Sequence, residues 1–194
     1  MNRISLIILC IVIAFVLSSC NNESSNASII EQPHKVADTA GSGITVTAGG
    51  SETNEAVKSN SRSIEIIDYE NTELYQMIMN DSKGSIPYVE LGESIQIAFS
   101  GEPPDSYQLT DNVLLEDGTI KYGGQRQAVR PINIKFDHGI GSFILRGNMS
   151  TMYSSNMKDD EPGATIRGFR LTGTWKNEIK EYVFIIRTDA RKKS

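Results

Sequence analysis

Residues 167–186 read RGFRLTGTWKNEIKEYVFII, and their alternation decides the fold class. Phe169, Leu171 and Trp175 share one parity, with Gly173 between them. Tyr182, Phe184 and Ile186 share another, opposed by Val183 and Ile185. Period-two alternation bounded by turn residues is the mark of strands with one buried and one wet face, as in antiparallel sheets. The same pattern recurs on the N-terminal side. Ile95, Ile97 and Phe99 alternate with Ser94, Gln96, Ala98 and Ser100. Tyr107 and Leu109 lead into Val113, Leu114 and Leu115, and Glu116-Asp117-Gly118-Thr119 has hairpin-turn chemistry before Ile120 and Tyr122. Ile132, Ile134 and Phe136 alternate, Asp137-His138-Gly139 turns the chain, and Phe143 and Leu145 follow.

Seven or eight strands separated in this way, with no glycine-rich strand-to-helix turn, predict a mainly β protein. The pattern resembles immunoglobulin-like modules at the level of architecture, which implies an antiparallel β-sandwich over residues 86–189. A small closed barrel is the competing architecture. No motif of that family is present to bring a site with it. A lead-in over residues 62–84 carries a β-like run through Ile64, Ile66 and Ile67. It then carries one short helix, because Leu74, Met77 and Ile78 have helical spacing and Asn71 or Thr72 is placed to cap its start. The sandwich domain is thus expected over 62–190, followed by a basic tail over 191–194.

The chain has 194 residues, a formal net charge of −5 and two cysteines. Its length suits one domain with appendages and is short for two lobes around a ligand cleft. The acidic balance argues against nucleic-acid binding. Residues 1–20 read MNRISLIILCIVIAFVLSSC: one arginine, then a run of 14 residues over 4–17 broken only by Ser5. That has the layout of a secretory signal and falls short of the ~20 residues a spanning helix needs. Leu17-Ser18-Ser19-Cys20 resembles the lipobox of bacterial lipoproteins. The resemblance covers residues 1–20 only. It implies a signal peptide over 1–19, a diacylglyceryl group on the Cys20 thiol, and anchoring to membrane lipid on the extracytoplasmic side. Beyond Cys20 the sequence holds no cysteine. Residues 20–61, rich in Asn, Ser, Gly, Thr, Glu and Ala, are expected to form a flexible lipidated tether. Ile44-Thr45-Val46-Thr47 is the one place in it where a short strand competes.

The longest irregular stretch, residues 148–162, reads NMSTMYSSNMKDDEP. Met149, Met152, Tyr153 and Met157 form a candidate partner-binding loop, since loops at a sandwich end carry contacts and methionine adapts to varied surfaces. The competing reading has these side chains capping the core. Asp159, Asp160 and Glu161 are a weak calcium option, without EF-hand spacing. Ser155 and Lys158 match S-x-x-K, but neither K-T-G nor S-D-N accompanies them. Asp105, Asp111 and Asp117 are acids without a defined catalytic pairing. Arg167 shares parity with Phe169, so it lies at a rim or Gly168 marks a bulge; with Arg170 it forms a candidate ion pair or ligand contact. Trp175 is expected near a strand end in a core role. The expectation is a non-catalytic, membrane-anchored binding or adaptor module that needs no cofactor. An accessory or inhibitory subunit of an envelope protease or cell-wall hydrolase is the alternative, and a small hydrolase ranks below it.

Overall fold

The computed structural model describes residues 43–49, 55–82, 85–122 and 131–191. The expected signal, the lipobox, Cys20, and residues 192–194 of the tail lie outside them. Ten strands and one α-helix are formed among the described residues. The strands are β1 (Ile44–Ala48), β2 (Glu55–Val57), β3 (Ser59–Ile64), β4 (Ser94–Phe99), β5 (Ser106–Leu114), β6 (Pro131–Ile132), β7 (Phe136–Asp137), β8 (Ile140–Ile144), β9 (Thr165–Trp175) and β10 (Glu178–Thr188). The helix α1 (Glu73–Ser82) lies between β3 and β4.

The strands make two antiparallel sheets, ordered β2-β1-β4-β8-β7 and β3-β10-β9-β5-β6. This is a β-sandwich. The order β1-β4-β8-β7 facing β10-β9-β5-β6 matches the A-B-E-D and G-F-C-C′ arrangement of immunoglobulin sandwiches. Its core lies between the sheets, where Val46, Ile95, Ile97, Leu109, Phe143, Phe169, Leu171, Phe184 and Ile186 bury their side chains. The rings of Phe169 and Phe184, opposite each other on β9 and β10, stack with centroids 4.8 Å apart.

The tether expected over 20–61 is corrected in its C-terminal part, where residues 44–48, 55–57 and 59–64 are strands of the domain; residues 20–42 lie outside the described residues. Ile44, Val46 and Ala48 point into the core while Thr45 and Thr47 do not, so the short strand that competed at Ile44-Thr45-Val46-Thr47 is formed and runs on to Ala48. β3 reads SNSRSI and lies at the edge of the second sheet, where backbone pairing with β10 replaces apolar burial. Only Lys58 separates β2 from β3, so the chain crosses there from one sheet to the other. The β-like run stops at Ile64, and Ile66 is 82% exposed.

A second correction concerns the wet face. β9 from Thr165 to Gly173 is buried at every residue. The outer face of the second sheet is covered by α1, whose Leu74, Tyr75 and Ile78 pack against Leu114, Ile166, Val183 and Ile185. The helix starts at Glu73, whose N–H donates to the Asn71 side-chain carbonyl at 3.0 Å, and runs to Ser82. Gly168 lets it approach: a Cβ there would sit 2.9 Å from the Tyr75 ring and 2.6 Å from a Leu114 methyl.

The strand registers give the domain two poles. One holds Gly43, the end of β4, the β7–β8 turn with exposed His138, and the β9–β10 turn. Trp175 sits there, packed on the core with its indole N–H donating to the Glu102 carbonyl at 2.9 Å. The opposite pole holds the ends of β8 and β10, the start of β9, and the segment 146–164 between them. β9, with 11 residues, spans roughly 35 Å between the poles.

Candidate functional site

The segment 148–162 is more ordered than an irregular loop. Two 3-10 turns, Met149–Tyr153 and Met157–Asp160, occupy it. Each is capped by an asparagine: the Asn148 side chain accepts from the Ser150 N–H at 2.8 Å, and that of Asn156 accepts from the Lys158 N–H at 3.2 Å. Asn and Ser favour such local side-chain-to-backbone bonds, which is why this composition makes caps and tight turns.

The first turn is fastened to the sandwich at its base. Arg167 on β9 donates from Nε to Asp111 Oδ1 on β5 at 2.7 Å, and from Nη2 to Oδ2 of the same carboxylate. Its Nη1 donates to the Arg146 carbonyl at 3.0 Å. Asn148 Nδ2 donates to Asp111 Oδ2 at 3.0 Å, so one buried ion pair holds both strands and the root of the loop. The Thr151 hydroxyl lies 2.7 Å from the Asn148 carbonyl and 3.1 Å from that of Ala190. Asp159 fastens the second turn, accepting from Lys121 and from the Ser154 hydroxyl. Those two bonds hold its carboxyl below the usual carboxylate range.

On this frame Met149, Met152 and Met157 are 51%, 62% and 87% exposed. Residues three apart on a 3-10 helix eclipse, so Met149 and Met152 share a face. The three methionines therefore do not cap the core; buried Thr151 takes the inward position. Tyr153 contributes its backbone to the first turn.

Arg167 lies neither at a rim nor beside a bulge. The pairing of β9 with both β5 and β10 runs without interruption through Gly168. Arg167 faces the interior, tolerated there because Asp111 and a carbonyl satisfy it and Phe169 lies beneath it at 5.5 Å. Arg170 points to the other face, under α1. Its Nε faces Glu181 Oε1 at 2.8 Å, an ion-pair approach whose angle falls short of a hydrogen bond. Its two Nη atoms donate to the carbonyls of Asp68, at 2.7 Å, and Asn71. Glu181 also accepts from Arg62 Nε at 2.9 Å, and Arg62 donates to Glu73 at 2.9 Å. This chain of alternating charges clamps the helix and the turn before it onto the sheet. Tyr75, beside Arg170, is fully enclosed, and burial pushes its phenol up to about 12, so it stays protonated. Both arginines are structural ties, and neither is presented to a ligand.

The calcium option does not hold. Asp159 is committed to Lys121 and Ser154, Asp160 lies 3.6 Å from Arg191, and Glu161 ends the second turn. Among the described residues no group of three His, Cys, Asp or Glu side chains is placed to hold a metal. Asp105 accepts from the Lys176 N–H, and Asp117 accepts from Thr119, so with Asp111 each acid serves a turn or a tie. Ser155 and Lys158 are both exposed. A shallow depression of about 200 Å³ between Asp160, Pro162, Asp189 and Arg191 is smaller than the ~300–1,000 Å³ of ordinary small-molecule sites. No helix among the described residues is long and apolar enough to cross a membrane.

Sequence reading missed Lys121, Asn148 and Glu181, and it weighed Asp111 only as an acid without a partner; these residues anchor the loop and helix. Two left a signal: Asp111 shares parity with Leu109 and Val113, and Glu181 with Val183 and Ile185. No protein-family model matches this chain, and neither a curated protein nor a solved structure was found to match it.

Proposed function

We propose that this chain is a lipid-tethered binding or adaptor module of the bacterial envelope. In this reading Cys20 carries the anchor, and Met149, Met152 and Met157 make the contact surface. One observation carries it: three exposed thioether side chains stand on a fastened loop at the pole opposite Gly43. A prefastened loop loses little conformational entropy on docking, and methionine suits an apolar pocket of variable shape. The occupant is an envelope protein with such a pocket. The loop's fastening at Asn148, Thr151 and Asp159 also favours a second reading, in which the loop is inserted into an envelope protease or wall hydrolase as an inhibitor or accessory.

Two changes test the separate halves. Cys20→Ser is expected to release the protein from the membrane fraction, read by fractionation and intact mass; unchanged retention and mass would sink the anchor. Replacing Met149, Met152 and Met157 together by Ser is expected to abolish the crosslinks that the wild-type loop makes in intact membranes. Its unfolding midpoint should match wild type, because none of the three side chains is buried. Crosslinks that survive the triple change would remove the loop from the contact surface.

A further inference from the structure

We infer that Met149, Met152 and Met157 are a methionine-oxidation site, and that oxidation there releases the docked partner. Release rests on the docking role proposed above; the oxidation site does not. The sequence has five methionines after Met1, and three of them fall within nine residues. Those three are the exposed ones. Met77 and Met79 are half-buried against the cluster under α1, where the Met77 sulfur lies 3.9 Å from the Asn60 amide nitrogen that donates to it. No cysteine follows Cys20, so no thiol in the folded domain competes for oxidant.

The co-reactant is a peroxide. With hydrogen peroxide, a sulfur lone pair attacks one oxygen, the O–O bond breaks and an S–O bond forms. The departing hydroxide takes the proton from the transferred oxygen and leaves as water. Sulfur loses two electrons, and the peroxide gains them. The product sulfoxide is polar and is reversed by methionine sulfoxide reductases. Exposed sulfoxides are solvated in the free domain. The groups that fasten the loop are Asn148, Thr151, Ser154, Asn156, Asp159, Lys121 and the Asp111–Arg167 pair, and none contains sulfur. Oxidation therefore leaves the frame standing while placing a strong dipole where an apolar pocket must close, which costs desolvation.

The test treats the folded, full-length protein with dilute hydrogen peroxide and follows each methionine by peptide mass. Met149, Met152 and Met157 are expected to gain one oxygen about tenfold faster than Met77 and Met79, with the unfolding midpoint unchanged. Equal rates across the five, or a midpoint falling in step with oxidation, would overturn the site. In membranes, crosslinks through the loop should disappear after peroxide and return after treatment with sulfoxide reductase. A variant with Leu at all three positions has no sulfur to oxidise there, so peroxide should not change whatever crosslinks it makes. Crosslinks persisting on fully oxidised protein would overturn release while leaving docking intact. Their absence before any oxidant is added would instead sink the docking role, and with it release, leaving the oxidation rates to decide the site.

Discussion

Glu181→Ala should cost the domain about 3–5 kcal/mol, because it leaves Arg170 charged and enclosed with its carboxylate gone. Arg170 is 1% exposed, and the Glu181 side chain 3%. The carbonyls of Asp68 and Asn71 still accept from Arg170, but they are dipoles and do not neutralise a guanidinium. Arg62 loses one of its two carboxylates as well. Urea unfolding measures the effect, with Glu178→Ala as the comparison. Glu178 is half exposed, lies 3.4 Å from Lys180 and accepts from the Ser63 hydroxyl at 2.9 Å, all at the surface, so its loss should change stability by about 1 kcal/mol or less. The double change Arg170→Met with Glu181→Leu should restore some of the deficit, since no charge is then stranded. If Glu181→Ala costs no more than Glu178→Ala, the clamp is not what holds α1 in place.

Gly118→Ala should destabilise by about 2–4 kcal/mol, combining a left-handed backbone with overpacking. Gly118 has φ +83°, and a Cβ there would lie 2.8 Å from the Gln76 backbone nitrogen and α-carbon. Backbone inside a helix cannot rotate aside as the end of a side chain does, so the turn over 116–119 or the helix must shift. Gly101→Ala is the control: its φ is ordinary and nothing lies within 4 Å of the new carbon. Thermal unfolding of the two variants side by side settles the matter. Equal midpoints would mean that the turn does not rest on α1.

The alternation in β4, β5, β9 and β10 was enough to predict a sandwich, because residues such as Phe169 and Leu171 are chosen for the side they bury. The helix was legible for the same reason at Leu74 and Ile78. β3 was not: an edge strand of serine, asparagine and arginine is held by ladder hydrogen bonds to β10, and those bonds leave no mark on side-chain chemistry. The double burial of the second sheet was half visible in Val183 and Ile185, which have no reason to be aliphatic on a wet face. The methionine loop was legible as a place but not as an object. Its rigidity comes from Asp111 and Lys121, which lie 37 residues from Asn148 and 38 from Asp159 along the chain. Local reading of composition cannot pair such partners. Arg167 misled for the same reason: with Asp111 out of view, an inward arginine looked like a fault in register.

The position of β1 has a mechanical consequence. The described chain enters it at one pole, and the methionine loop stands at the other. A pull between Gly43 and that loop therefore acts along the strand axes. It loads the five residue pairs joining β1 to β4, and the three joining β1 to β2, all at once in shear. These pairs do not open in succession like the teeth of a zip, so a force along the strand axes meets all of them together.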